Sequence, residues 1–227
     1  QNRAHGAEAL FSPRGADPSG EKAAVLQQLK GELLPLEGLP RCGMLLGLHG
    51  TSHANANNLF RGGFAQINFD DNGTPNTTVP LPTPPHHADI SLHTGYFGQG
   101  IYVSTHAEYA CQYASGAYGG DRPTNAAGEY VLVACWAALG MTYAISREVD
   151  YEAPADAESF SKYYSSPGRP AISLANNHQS HYVAIDAEHK QCSDGLRRGA
   201  RADYDELVCQ STAQLLPAYK LFVRRVG

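Results

Sequence analysis

Four apolar or alternating runs of seven to ten residues limit what this 227-residue chain can build: Gly43–His49, Tyr130–Leu139, Ser180–Asp186 and Tyr204–Gln210. Each is bounded by glycine, proline or polar turn residues. Runs of that length read as strands, because helices of a packed domain need a longer period-3.6 pattern. Tyr219–Arg225 and Ala171–Asn176 read as further strands, and Gly95–Ser104 as a turn that leads into another. Helical spacing is confined to short stretches. Ala24, Leu26, Leu29, Leu33 and Leu34 predict a helix that starts at Ser19 or Gly20, and Asn55–Phe60 predicts one that stops at Gly62-Gly63. A third is expected over Ala107–Ser115. Many strands with few helices point to an α+β fold: a mostly antiparallel two-sheet core with flanking short helices.

The chain divides into an N-terminal arm and helix over 1–40 and a main domain over 41–227. Residues 1–20 read as a loose arm. Gln66–His93 holds Asp-Asn-Gly and a proline-rich run ending in His86-His87. A loop that long in a compact domain is usually functional, and a lid is the expectation. Net charge is −5 and the isoelectric point is near 6.0. A sequence-independent nucleic-acid binder needs a basic footprint. Here only Arg197-Arg198, Arg201 and Arg224-Arg225 cluster, so no nucleic-acid partner is expected. The five cysteines, Cys42, Cys111, Cys135, Cys192 and Cys209, are odd in number and form no Cys-x-x-Cys pair. That pattern predicts free thiols and a reducing compartment. No apolar stretch is long enough for a membrane span, and no secretory signal is read at Gln1. A monomer is expected.

Tyrosine is the unusual component, 13 against 7 Phe and 1 Trp. Its ring stacks and its hydroxyl hydrogen-bonds, which suits a cleft for a flat polar ligand. Four segments carry the candidate chemistry: Leu48–Ser52, Tyr96–Ser104, the helix with Tyr109 and Tyr113, and Tyr204–Val223. In this order they resemble the catalytic domain of the poly(ADP-ribose) polymerase family, the diphtheria-toxin-like branch of the ADP-ribosyltransferases. The resemblance covers about residues 43–223. It maps the family's His, Tyr and Glu onto His49, Tyr102 and Glu206, and implies an ADP-ribosyltransferase fold with NAD as co-substrate and no metal. It makes those three the catalytic set and places NAD against His49, Gly50, Thr51, Tyr102, Ser104 and Tyr113. Tyr102 and Tyr113 would bracket the nicotinamide ring. Gly50, without a side chain, lets its backbone approach a carboxamide. His49 would hold a ribose hydroxyl. Cleavage of the bond to nicotinamide builds positive charge on the ribose, and a carboxylate beside it stabilises that charge. Asp205 neighbours Glu206, but adjacent strand residues face opposite ways, so one of the two lines the pocket.

This chain departs from the family where a serine usually precedes the second tyrosine by three residues. Ala110 stands there, and Ser104, Thr105 or Ser115 would have to supply that hydrogen bond. The resemblance implies transfer of one ADP-ribose to a protein side chain, as in small effectors and toxins that enter host cytosol. Host ubiquitin, modified on threonine, is one candidate acceptor. Tyr204, two residues before Glu206, argues against an arginine acceptor. The polar loop 187–203, with Lys190, Asp194, Arg197, Arg198 and Arg201, is the expected acceptor surface. Competing expectations are an RNA 2′-phosphotransferase and a non-catalytic NAD or ADP-ribose binder. His178 and His181 have a spacing that metal ligands use, but no third ligand is evident.

Overall fold

A computed structural model describes residues 16–36, 39–64, 96–116, 122–153, 159–164 and 174–224. The expected lid, with His86-His87, lies outside the described residues, as do residues 1–15 of the arm. The fold is α+β, with two four-stranded sheets and few helices. In chain order the elements are α1 (Glu21–Glu32), β1 (Leu34–Leu36), β2 (Leu39–Thr51), α2 (His53–Gly62), β3 (Ile101–Val103), α3 (Ala107–Ala114), β4 (Tyr130–Ala138), β5 (Thr142–Ala144), α4 (Arg147–Asp150), β6 (Ser180–Ile185), α5 (Ser193–Leu196), β7 (Tyr204–Cys209) and β8 (Leu215–Val223). One sheet has the order β1-β2-β4-β8 and the other β3-β7-β6-β5. All pairings among these strands are antiparallel except β5 with β6, which is parallel.

The main core lies between the sheets. Period-2 alternation selects its members: Val131, Val133, Cys135 and Ala137 of β4 face Val103, Tyr182, Ala184, Leu207 and Cys209 of the second sheet. Helix α1 adds Val25, Leu26 and Leu29 to this core. Its first turn is capped by Asp17, whose carboxylate accepts from the Lys22 and Ala23 amides at 3.0 and 3.1 Å. Leu34, read as the last apolar residue of that helix, is half exposed and opens β1 instead. The outer face of the first sheet buries Leu48, Leu132 and Ala134 under Ala110 and Ala114 of α3. The outer face of the second buries Val183, Ile185 and Val208 beneath a tyrosine-rich layer.

Several element boundaries differ from the sequence reading. Strand β2 is longer at both ends than Gly43–His49, and β8 begins at Leu215 rather than Tyr219. Helix α2 starts at His53, because the Ser52 hydroxyl accepts from the Asn55 amide and caps it. Leu174–Asn176, the described end of the expected strand 171–176, is a turn closed by the His178 amide on the Ala175 carbonyl. β1 and β5 were not legible as strands: each is three residues long, too short for a pattern.

Candidate active site

The two sheets meet where β2 and β3 run side by side. Leu48 and Ser104 exchange backbone hydrogen bonds of 2.7 and 3.0 Å there. Helix α3, which follows β3, packs back over β2. Gly50 permits this approach. A Cβ at Gly50 would fall 1.9 Å from the Ala110 carbonyl oxygen, so only glycine lets the helix backbone come so near. A cleft opens at this joint, lined by Leu48, His49, Gly50, Tyr102, Val103, Ser104, Tyr109, Ala110, Tyr113 and Glu206. Counting the space open to solvent at its mouth, it spans about 310 Å3.

Six of the seven singled-out positions therefore converge on one cleft: His49, Gly50, Tyr102, Ser104, Tyr113 and Glu206. Thr51 does not line it. It is buried at the end of β2 opposite Val131, on the inner face of its sheet. Ser104 lines the wall with its hydroxyl committed. That hydroxyl donates to Asp205 at 2.9 Å and accepts from the His106 amide at 3.0 Å. Thr105 donates to Asp205 at 2.6 Å and Ser115 to the Gln112 carbonyl at 3.0 Å. None of the three expected replacements for the missing serine thus has a free hydroxyl proton. Ala110 is itself buried against Gly50.

His49 donates from Nδ1 to the Tyr102 carbonyl at 2.8 Å. That bond fixes the tautomer and leaves Nε2 as an acceptor. Burial lowers its pKa and outweighs that hydrogen bond, which acts the other way, so the ring is neutral at working pH. The Tyr102 hydroxyl donates to the Gly98 carbonyl at 2.7 Å and accepts from the Phe97 amide at 3.0 Å. Its polar tip is thereby saturated, and the ring is what it offers the cleft. Gly98 has φ +108, a conformation that side chains rarely adopt.

Glu206 sits in the middle of β7 with Val208 and Tyr204 on its own face. Both Tyr109, at 2.8 Å, and Tyr113 donate to its Oε1. Oε2 accepts no hydrogen bond from the described residues. Burial pushes the Glu206 carboxyl above the usual carboxylate range, against the pull of the two hydroxyls. Asp205 takes the opposite face. It accepts from the Ser104 and Thr105 hydroxyls, the Thr105 amide at 2.8 Å and the Tyr182 hydroxyl at 3.3 Å. The neighbouring carboxylates thus divide: one lines the cleft and one ties β3 to β7.

The backbone edge of β2 is a further polar feature. Leu48 spends its N–H and C=O on Ser104, away from β4, so alternation directs those of Gly50 off the same edge. The Gly50 carbonyl meets Arg122 at 3.4 Å, while Arg122 caps α3 through the Tyr113 carbonyl at 2.7 Å.

Three residues near the site escaped the sequence reading in these roles. Tyr109 is one helical turn before Tyr113, a spacing that puts both on one face. Arg122 carried no local signal. His181, at a metal-ligand spacing from His178, has both ring nitrogens used by backbone: Nδ1 by the Phe97 carbonyl at 2.6 Å, Nε2 by the Ala175 amide at 2.8 Å. Burial drops its pKa to about 4, so the neutral ring braces the loop that holds Tyr102. Among the described residues no group of three or more His, Cys, Asp or Glu is placed to hold a metal. Cys111, Cys135 and Cys209 are free thiols. No described helix is long and apolar enough to cross a membrane. No protein-family model matches the chain, and no curated protein matches it.

Proposed function

We propose that this chain is a NAD-dependent protein mono-ADP-ribosyltransferase with an ADP-ribosyltransferase fold. One observation carries the reading: His49, Tyr102, Tyr113 and Glu206, far apart in sequence, line a single cleft. The donors and acceptors there fit NAD. The Gly50 backbone edge suits a carboxamide, and the Tyr102 and Tyr113 rings suit the flat base. His49 Nε2 suits a ribose hydroxyl proton, and Glu206 Oε2 lacks a partner among the described residues. NAD would supply a ribose already bonded to a good leaving group.

The chain's own groups then act as follows. Tyr102 and Tyr113 orient the base and exclude water from its faces. Glu206, once ionised, presents negative charge where the ribose becomes electron-poor. The bond from ribose C1′ to nicotinamide breaks with its electron pair on nicotinamide. A bond from C1′ to the acceptor side chain forms, and the acceptor's proton passes to solvent. Arg197, Arg198 and Arg201 are exposed in the segment before β7 and are the proposed contacts for an acceptor protein. Rim charges of this kind steer encounter. A host protein such as ubiquitin remains a candidate acceptor, and a reducing host cytosol the candidate place of action.

Incubation with labelled NAD and host-cell lysate tests the reading. Nicotinamide release together with ADP-ribose on a protein side chain, located by mass spectrometry, is the expected result. A folded protein that neither releases nicotinamide nor labels any protein would refute it.

A further inference from the structure

Two tyrosines of one helix donate to the same oxygen of Glu206, but their surroundings differ. Tyr113 is half-buried at the wall of the cleft, where a flat ligand would lie. Tyr109 is 4% exposed and held on three sides. Its ring stacks on Tyr204 at 5.4 Å and meets the edges of His189 at 5.3 Å and Tyr113 at 5.7 Å. Tyr204 lies two residues before Glu206, on the same face of β7. Tyr109 is therefore clamped to the strand that carries the carboxylate. His189 is in turn held against α3 by a 3.1 Å hydrogen bond with Gln112, which keeps the wall behind Tyr109 closed.

We propose that Tyr109 is the positioning residue for Glu206: its hydroxyl holds Oε1, fixes the carboxylate rotamer and turns Oε2 toward the cleft. The inference rests on the transferase reading for its consequence in catalysis, but not for its geometry. A ligand ring beside Tyr113 competes for that side chain, whereas Tyr109, which also lines the cleft, is held in place by its packing on Tyr204 and His189. Burial and the nearby Glu206 charge raise the Tyr109 pKa far above the ordinary phenol range, so the hydroxyl remains a donor. A hydrogen bond to an ionised group is among the stronger ones, and losing it disfavours the charged form. The other titratable groups around Glu206 are Tyr102, Tyr113, Tyr151 and Asp205.

Tyr109→Phe removes the hydroxyl and keeps the ring. Three measurements separate the outcomes: the 13C carboxyl titration of Glu206, assigned with Glu206→Gln; benzamide affinity by calorimetry; and the pH profile of nicotinamide release. The expected variant binds benzamide within about twofold of wild type, as its stacking walls remain. Its Glu206 titrates at higher pH. Its kcat falls roughly 10- to 100-fold near neutrality, with KM little changed, and recovers partly as pH rises. An unchanged Glu206 titration overturns the proposal. So does a parallel fall in benzamide binding and kcat without a shifted pH profile, which would mark the ring as packing only. If the wild type releases no nicotinamide, the transferase reading fails, and the carboxyl titration alone decides the role of Tyr109.

Discussion

Glu206 and Asp205 show how strongly one step along a strand changes a carboxylate's situation. Glu206 is buried with two phenol donors and a carboxyl pushed upward by desolvation. As pH rises past the ordinary carboxylate value, the unfolded chain gives up this proton before the folded one does. The folded state then binds more protons, so the Glu206 contribution to stability falls with rising pH. Glu206→Gln keeps an oxygen for both tyrosines and removes the buried charge. We expect it to melt with the wild type at acid pH and above it at neutral pH, at about 2–4 °C per kcal/mol gained. Nicotinamide release should drop by about 10²- to 10³-fold. Melting curves against pH and single-turnover release check both, and less than a threefold loss of rate would remove Glu206 as the stabilising carboxylate. Asp205→Ala should behave in the opposite manner. It strands the Ser104, Thr105 and Tyr182 donors in a buried space. A loss of roughly 3–5 kcal/mol in urea unfolding is expected. A loss under 1 kcal/mol would mean that the cluster does not join β3 to β7.

Helix α1 is fastened by a buried ion pair as well as by its apolar stripe. Lys22 Nζ, almost fully buried, donates to Asp150 at 2.8 Å and to the Ala144 carbonyl at 3.1 Å, and lies over the Tyr143 ring at 3.6 Å. Asp150 also accepts from Tyr143 and pairs with Lys162, each at 2.7 Å. Burial alone would raise the Asp150 carboxyl, but the two lysines outweigh it and hold it below the usual range. Its contribution is therefore present above the ordinary Asp value and is lost as pH falls through the depressed one. Lys22→Ala should cost about 3–5 kcal/mol by denaturant unfolding, since it leaves Asp150 buried with one lysine fewer. The variant's stability should also fall less steeply in acid. If the cost is below 1 kcal/mol, α1 is held by Val25, Leu26 and Leu29 alone.

At the scale of the whole molecule, the cleft lies where two sheets and α3 meet, so a ligand there ties three parts of the fold together. A benzamide-type ring at 100 times its dissociation constant should add about 2.7 kcal/mol to unfolding. At about 2–4 °C per kcal/mol, that is a clear rise in melting temperature. Tyr102→Ala and Tyr113→Ala should each shrink the rise by removing one stacking face. An equal rise in both variants would place the ring elsewhere.

The sequence by itself determined the strand-rich α+β class, because short apolar runs bounded by turn residues, as in β4, β6 and β7, are a local property of the chain. It also singled out His49, Gly50, Tyr102, Tyr113 and Glu206, and alternation alone required Asp205 to face away from Glu206. Other features were decided only by tertiary structure. Leu34 left the helix pattern to begin a strand because β2 was there to pair with it. Ser104 lines the cleft with its hydroxyl proton committed, because Asp205 and the His106 amide lie within reach of it. His181 became a brace between two loops, and Tyr109 came to rest on Glu206, through contacts spanning 84 and 97 residues. Propensity and spacing act within a few residues of the chain. Which carboxylate a phenol reaches depends on how sheets and helices pack, and that information is not local.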